Sequence, residues 1–413
     1  MKMLAFLKSL TSRMRRPSTP TQRVANHPEF ECLENRVVPT ITLGGQFPVN
    51  VPTSLTTFTV RSAASDNGRF VVAWAQTPRT ASPNPSYLRA QLFSASGQRL
   101  GGEILVTGGP INYNDGLDVA MARNGNFVVA WSQRDPNDPS NVYARRFASN
   151  GALLGGTIIV ANRAGAETNP HVAMDAAGNF VVTFQASGDL YGVRYLSTGE
   201  AYRPFIVYAS SSLSVLDSDI AMAADGRFSI SYVVTGAGSS LIVKNYSRLA
   251  LLRVTETIFS RLAFGVHTQI AVDDRANAVV AWDNYSNLGN LLVAQRIFAV
   301  RVNSTGGRTG GIVITNASSK LLQSVSVDRT GNTFVVAWGS QNDGTAITSR
   351  DLILTEVTAS NVPSGPYVVD AGNTSVQHLL VSLATRSRGT FVLAFLLSSN
   401  SFDADVFARL GNY

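Results

Sequence analysis

One short pattern, Gly125-Asn126-Phe127-Val128-Val129-Ala130-Trp131, recurs along the chain and restricts what the chain can fold into. Its aromatic end falls at Trp74, Trp131, Phe184, Tyr232, Trp282, Trp338 and Phe395, at intervals of 57, 53, 48, 50, 56 and 57 residues. All four tryptophans of the 413-residue chain occupy this one repeat position. A bulky residue reserved for one position marks a recurrent core site. Each copy reads strand, tight turn, strand, as in Val172-Ala173-Met174-Asp175-Ala176-Ala177-Gly178-Asn179-Phe180-Val181-Val182-Thr183-Phe184. The turn needs a residue that tolerates positive φ, and an Asp side chain there can bond the turn's own amides. The run after it is β-branched and aromatic at both parities, which predicts a strand buried on both faces.

A unit of roughly 50 residues is the length of a four-stranded propeller blade. Third strands are expected at Tyr87–Phe93, Val142–Phe147, Leu190–Leu196 and Leu291–Phe298, where apolar and polar residues alternate as half-exposed strands should. Blade four is the least regular, with a weakly patterned Leu241–Val254. Blade five has Ala276 in place of the turn glycine, and the extra Thr333 of blade six fits a bulge.

The two ends of the repeat region are offset. Leu43-Gly44-Gly45-Gln46-Phe47-Pro48-Val49 matches Leu100–Val106 and Leu154–Val160, which end their units, yet it stands alone at the front. At the other end Val406–Leu410 matches the third strand Val142–Arg146, and no fourth strand follows. A closed ring accounts for both facts, because pairing the ends hides two strand edges. Pro48 fits an outer edge, where its missing donor is harmless. The expected fold is all-β: a seven-bladed β-propeller of four-stranded antiparallel blades, its ring closed by an N-terminal strand that completes the last blade.

The composition, 45% hydrophobic and 15% charged, allows a large core. No stretch approaches the roughly 18 apolar residues of a membrane span, so no transmembrane segment is expected. Cys32 is the single cysteine, so no internal disulfide forms, and the redox compartment stays open. The net charge of +7 is concentrated in residues 1–40, where seven Lys and Arg face three Glu. The body lacks the clustered basic stripe of a backbone-binding protein, so no nucleic-acid partner is expected. Residues 1–40 read as a basic, largely disordered, export-associated leader, and residues 41–413 as the propeller.

Within the leader, Leu33-Glu34-Asn35-Arg36-Val37-Val38-Pro39 resembles the Leu-Glu-x-Arg-x-x-Pro tag of large secreted or surface proteins of certain bacteria. The units, with their Tyr-Ala-x-Arg-Phe and Gly-Gly-x-x-x-Val strands, resemble propeller-type repeats of large bacterial extracellular proteins. These resemblances imply an extracellular or cell-surface location. They imply no particular activity, because function resides in sites and not in folds.

Chemistry is sparse. His171, His267 and His378 precede first strands at unequal offsets, and no metal is assigned to them. Asp66, Asp175, Asp225, Asp273 and Asp328 read as turn residues. No phosphate loop, zinc motif or nucleophile elbow is present, and no cofactor is expected. Amides recur just past the repeat aromatic, at Gln76, Gln133, Gln185, Asn284 and Gln341. With neighbouring groups they give the candidate ligand-binding set Gln133, Arg134, Asp135, Asp283, Asn284, Tyr285, Gln341, Asn342 and Asp343. Amides at strand ends also satisfy backbone groups, which is the competing role. The expected function is a non-catalytic binding or interaction module, a monomer that takes a glycan or protein ligand on its loop face. A glycan-active hydrolase using loop carboxylates and a structural envelope component are the alternatives.

Overall fold

The computed structural model describes residues 41–51, 55–78, 86–107, 116–135, 138–163, 165–235, 239–262, 267–288, 291–315, 320–328, 330–341, 350–370, 377–385, 389–400 and 403–412. The leader, Asn342 and Asp343 lie outside these residues. The fold is a seven-bladed β-propeller of antiparallel four-stranded sheets. The innermost strands are Leu55–Ala64, Leu117–Met121, Glu167–Met174, Val215–Met222, Thr268–Val272, Lys320–Val327 and Gln377–Thr385. Neighbouring innermost strands pack side by side all the way round, blade seven against blade one included.

The repeat pattern supplies the second strands: Phe70–Pro78, Phe127–Asp135, Phe180–Ala186, Phe228–Val234, Ala278–Leu288, Phe334–Gln341 and Thr390–Asn400. Each is covered on both faces, so the apolar run without alternation has its physical cause. The core is divided into seams between blades. Trp131 packs toward blade one among Val71, Ala73 and Leu88, while Val128 and Ala130 of the same strand face Phe180 and Val182 of blade three.

Each letter of the repeat has a role. The phenylalanine stacks on an aromatic of the third strand: Phe70 on Phe93, Phe127 on Phe147, Phe180 on Tyr195 and Phe228 on Tyr246, with centroids 4.7–4.8 Å apart. In three blades the asparagine ties the first hairpin turn to the turn between the third and fourth strands. Asn126, Asn179 and Asn277 accept hydrogen bonds from the amides of Ser149, Ser197 and Ser304 at 3.0, 3.1 and 3.2 Å. The turn aspartates act locally: Asp175 Oδ1 accepts from the amides of Ala177 and Asn179, and Asp273 Oδ1 from those of Arg275 and Asn277.

Three irregularities resolve. Ala276 holds the glycine conformation at φ 61°. Thr333 makes no bulge beside the turn: Val327 still pairs with Phe334, and the extra residue lengthens the turn closed by the Asp328 amide on the Thr333 carbonyl. In blade four Leu241–Val254 spans most of the third strand Ser239–Tyr246, a turn and the start of the fourth strand Leu252–Leu262.

Blade seven joins both ends of the repeat region. Thr42 pairs with Asn412, Leu43 with Gly411, Phe47 with Ala408 and Pro48 with Phe407, all antiparallel. The amides of Gly44 and Val49 donate to the carbonyls of Leu410 and Val406 at 2.8 Å. Ile41 and Val49 are buried, and the Phe47 ring lies 5.7 Å from that of Phe93 in blade one. A chain beginning at residue 51 is therefore expected to lose at least about 3 kcal/mol relative to one beginning at residue 41. Urea midpoints of the two proteins check this; equal midpoints would remove the closing role.

Candidate functional site: an axial polar ring

An innermost strand has one edge that no strand can pair, because the blades splay apart from the axis. Its amides there still need acceptors. Each blade places a polar side chain at one register position, opposite the residue that precedes the repeat aromatic. These are Arg61, Asp118, His171, Asp219, Gln269, Ser324 and Ser382, paired with Ala73, Ala130, Thr183, Ser231, Ala281, Ala337 and Ala394.

Most of the acceptors serve the next blade. Ser382 Oγ accepts from the Ser62 amide at 2.9 Å, and Ser324 Oγ from Leu383 at 3.1 Å. Asp118 Oδ2 accepts from Val172, and Asp219 Oδ2 from Ile270, both at 2.8 Å. Arg61 carries no acceptor and cannot serve blade two. There Asp118 Oδ1 takes its own neighbour's amide, Val119, at 2.8 Å. Asp219 Oδ1 does the same for Ile220 after His171. The two aspartates thus follow Arg61 and His171 around the ring, and each serves its own strand as well as the next blade.

His171 Nδ1 lies 3.6 Å from Asp219 Oδ1 and 3.9 Å from Asp118 Oδ2. Burial pushes the Asp118 carboxyl up to about 6, against the pull of the Arg61 guanidinium and the two amides. Burial drives Asp219 well above the usual carboxylate range. Burial and Arg61 together hold His171 down at about 3, so its imidazole is neutral near pH 7. Burial thus disfavours the charged forms of Asp118, Asp219 and His171 alike.

These residues line a cavity of about 150 Å³ on the axis. Toward the hairpin-turn face lies a second axial space of about 270 Å³. Its wall includes Ala63, Ala120, Ala221 and Ala271 with Met121, Met174 and Met222. Compared with that space, the polar cavity is displaced toward the starts of the innermost strands, and its residues sit three positions before the strand ends.

Asp283 is fully buried within the second strand of blade five. Its Oδ1 accepts the His267 amide at 2.9 Å, and its Oδ2 is 3.5 Å from His267 Nδ1. Asp217 Oδ2 accepts the Thr268 amide at 2.8 Å in the same region. The hydrogen bond to Asp283 raises His267 to about 9, against desolvation.

The other expected ligand residues are dispersed. Gln133 Oε1 accepts from Trp131 Nε1 at 3.3 Å, as Gln76 Oε1 does from Trp74 Nε1 at 3.2 Å. Arg134 is exposed on the same strand. Asp135, Asn284, Tyr285 and Gln341 lie on second strands, but their side chains are outside the described residues, and Asn342 and Asp343 are wholly outside. Arg61, Asp118, Asp219 and Gln269 escaped sequence reasoning. Their signal was a polar residue 13 positions before each repeat aromatic, with 14 for Ser324 because of Thr333.

No family model and no curated protein sequence matches the chain. Solved structures match by shape alone. Polysaccharide lyase Uly1 is 9% identical with a TM-score of 0.56, the match covering 84% of this chain and 90% of that one. A PL25 ulvan lyase is 9% identical at a TM-score of 0.55, covering 89% and 96%. The propeller domain of the Trilobed protease from Pyrococcus furiosus is 8% identical at 0.51, covering 87% and 94%, and is described as having an open velcro topology. At these identities the likeness is one of fold.

Two outcomes test the ring and its neighbour. Asp118→Val leaves two amides without their acceptor and should cost about 2–4 kcal/mol, and Asp118→Asn about half as much; denaturant unfolding reads both. The raised His267 contributes stability that is complete below 6.5 and is lost as pH rises through about 9. Upward shifts of Asp217 and Asp219 act in the same direction. The His267 ring is 59% exposed, so solvent screening discounts the expected loss to about 1 kcal/mol. Thermal melts across this range should flatten in His267→Gln.

Proposed function

We propose that the chain is a secreted or cell-surface propeller that acts as a non-catalytic binding module. On this reading the axial polar cavity holds one sugar residue or one peptide side chain of a larger ligand. The carrying observation is the ring itself: guanidinium, amide, imidazole, carboxyl and hydroxyl groups converge on a space of about 150 Å³. That is smaller than the roughly 300–1,000 Å³ that encloses a whole drug-sized ligand, so it suits one residue of a polymer. Both oxygens of Asp118 and of Asp219 are engaged by backbone amides. This supports a fixed recognition surface over proton transfer. The leader with its Leu33–Pro39 tag, an extracellular location and a monomeric state belong to the same proposal.

A glycan-active enzyme is the second reading. The placing of His171 between two carboxyl groups favours it, and two of the similar folds are named polysaccharide lyases. One experiment separates the readings: binding to glycan and peptide arrays, followed by a turnover assay on each ligand found. Arg61→Ala and Gln269→Ala should each weaken binding by roughly tenfold, about 1.4 kcal/mol, with melting unchanged. Unaltered binding by both variants would remove the axial site. Depolymerisation that disappears in His171→Ala would replace the binding module with the enzyme.

A further inference from the structure

The turn between the third and fourth strands of blades one to six lies on the face opposite the loops between blades, beside the first hairpin turn, to which asparagine ties it in blades two, three and five. In five blades the two residues at its tip are small or polar: Ala95-Ser96, Ser149-Asn150, Ser197-Thr198, Ser304-Thr305 and Ala359-Ser360. Blade four breaks this pattern with Arg248-Leu249-Ala250-Leu251-Leu252-Arg253. The turn geometry is nevertheless kept: the Ser247 amide donates to the Leu251 carbonyl at 2.9 Å, and the Ala250 amide to that of Ser247 at 3.0 Å. Ala250 holds φ 56° where blades one, two, three and five use glycine.

Leu249, Leu251 and Leu252 are 44%, 45% and 52% exposed. Exposed apolar residues at the turns of blades two and six, Leu153 and Val362, occur singly. Three within residues 249–252, at the turn and the start of the strand after it, concentrate exposed apolar surface of the kind that marks an interaction site. Arg248 and Arg253, both exposed, bracket the leucines. Tyr202, 49% exposed, stands on the blade-three flank, where it and Arg248 both act on Arg194. An apolar tip ringed by arginines and a tyrosine is complementary to an anionic headgroup layer over acyl chains.

We propose that the blade-four turn inserts into an anionic phospholipid surface, leucines into the boundary of headgroup and acyl chain, and Arg248 and Arg253 onto lipid phosphates. The turn is on the hairpin-turn face, and along the axis the second space lies between that face and the polar cavity. The inference does not depend on what the cavity binds.

The test is co-sedimentation of the full chain with vesicles of phosphatidylcholine containing phosphatidylglycerol, with phosphatidylcholine alone as the comparison. Binding should require phosphatidylglycerol and weaken as salt is raised. The double variant Leu249→Ser/Leu251→Ser should lower partitioning by roughly tenfold, and Arg248→Gln/Arg253→Gln should remove the salt dependence, both with melting unchanged. No binding to the anionic vesicles overturns the proposal, as does binding indifferent to the serine variant. A wild-type dimer in light scattering that the serine variant dissolves also overturns it, because the turn would then be a contact between copies.

Discussion

Every blade of this ring presents a strand edge to the axis, and no strand can pair with it. Burial of apolar side chains between blades is favourable and non-directional, but it does nothing for those amides. In four blades the structure meets them with the polar side chain at one register position. Ser324, Ser382, Asp118 and Asp219 thereby link neighbouring innermost strands by directional bonds across seams that are otherwise apolar. Two requirements met at one register position, hydrogen-bond capping and ring cohesion, explain why a polar residue recurs there in every blade.

The same constraint shapes the chemistry. A carboxylate that caps two amides is held still and desolvated, and desolvation drives it toward its neutral form. Asp118 and Asp219 both shift that way, and His171 between them shifts toward neutral imidazole. A polar axial surface with subdued charge is therefore a by-product of closing the ring, available for recognition.

The blades were legible in the sequence because burial on both faces leaves a plain mark: Phe-Val-Val-Ala-Trp without alternation, repeated in register. The closing strand was legible because Leu43–Val49 copied a strand that elsewhere ends a unit. The axial ring was not, because a single polar residue in a short first strand looks like ordinary alternation. Only the blade register shows that Arg61, Asp118, His171 and Asp219 meet at one place. The setting of Asp283 was hidden for a related reason. A carboxylate after the repeat tryptophan resembles a loop residue, yet the strand runs on to Leu288 and the partner His267 stands just before another strand. Local pattern carries strand identity; it does not carry the partners that burial brings from elsewhere in the chain.

The pairing of Thr42 with Asn412 has a consequence for how the molecule forms. Contacts between neighbouring blades span a few tens of residues and can form as the chain lengthens. The last seam must wait for the final strand, after a loop closure over nearly the whole chain, and such closures are slow. Until then blade seven lacks its outer strand and an unpaired edge stays open, a template for pairing with another chain. The first strand made is the last to dock, and the interval between those events is when this protein is most exposed to misassembly.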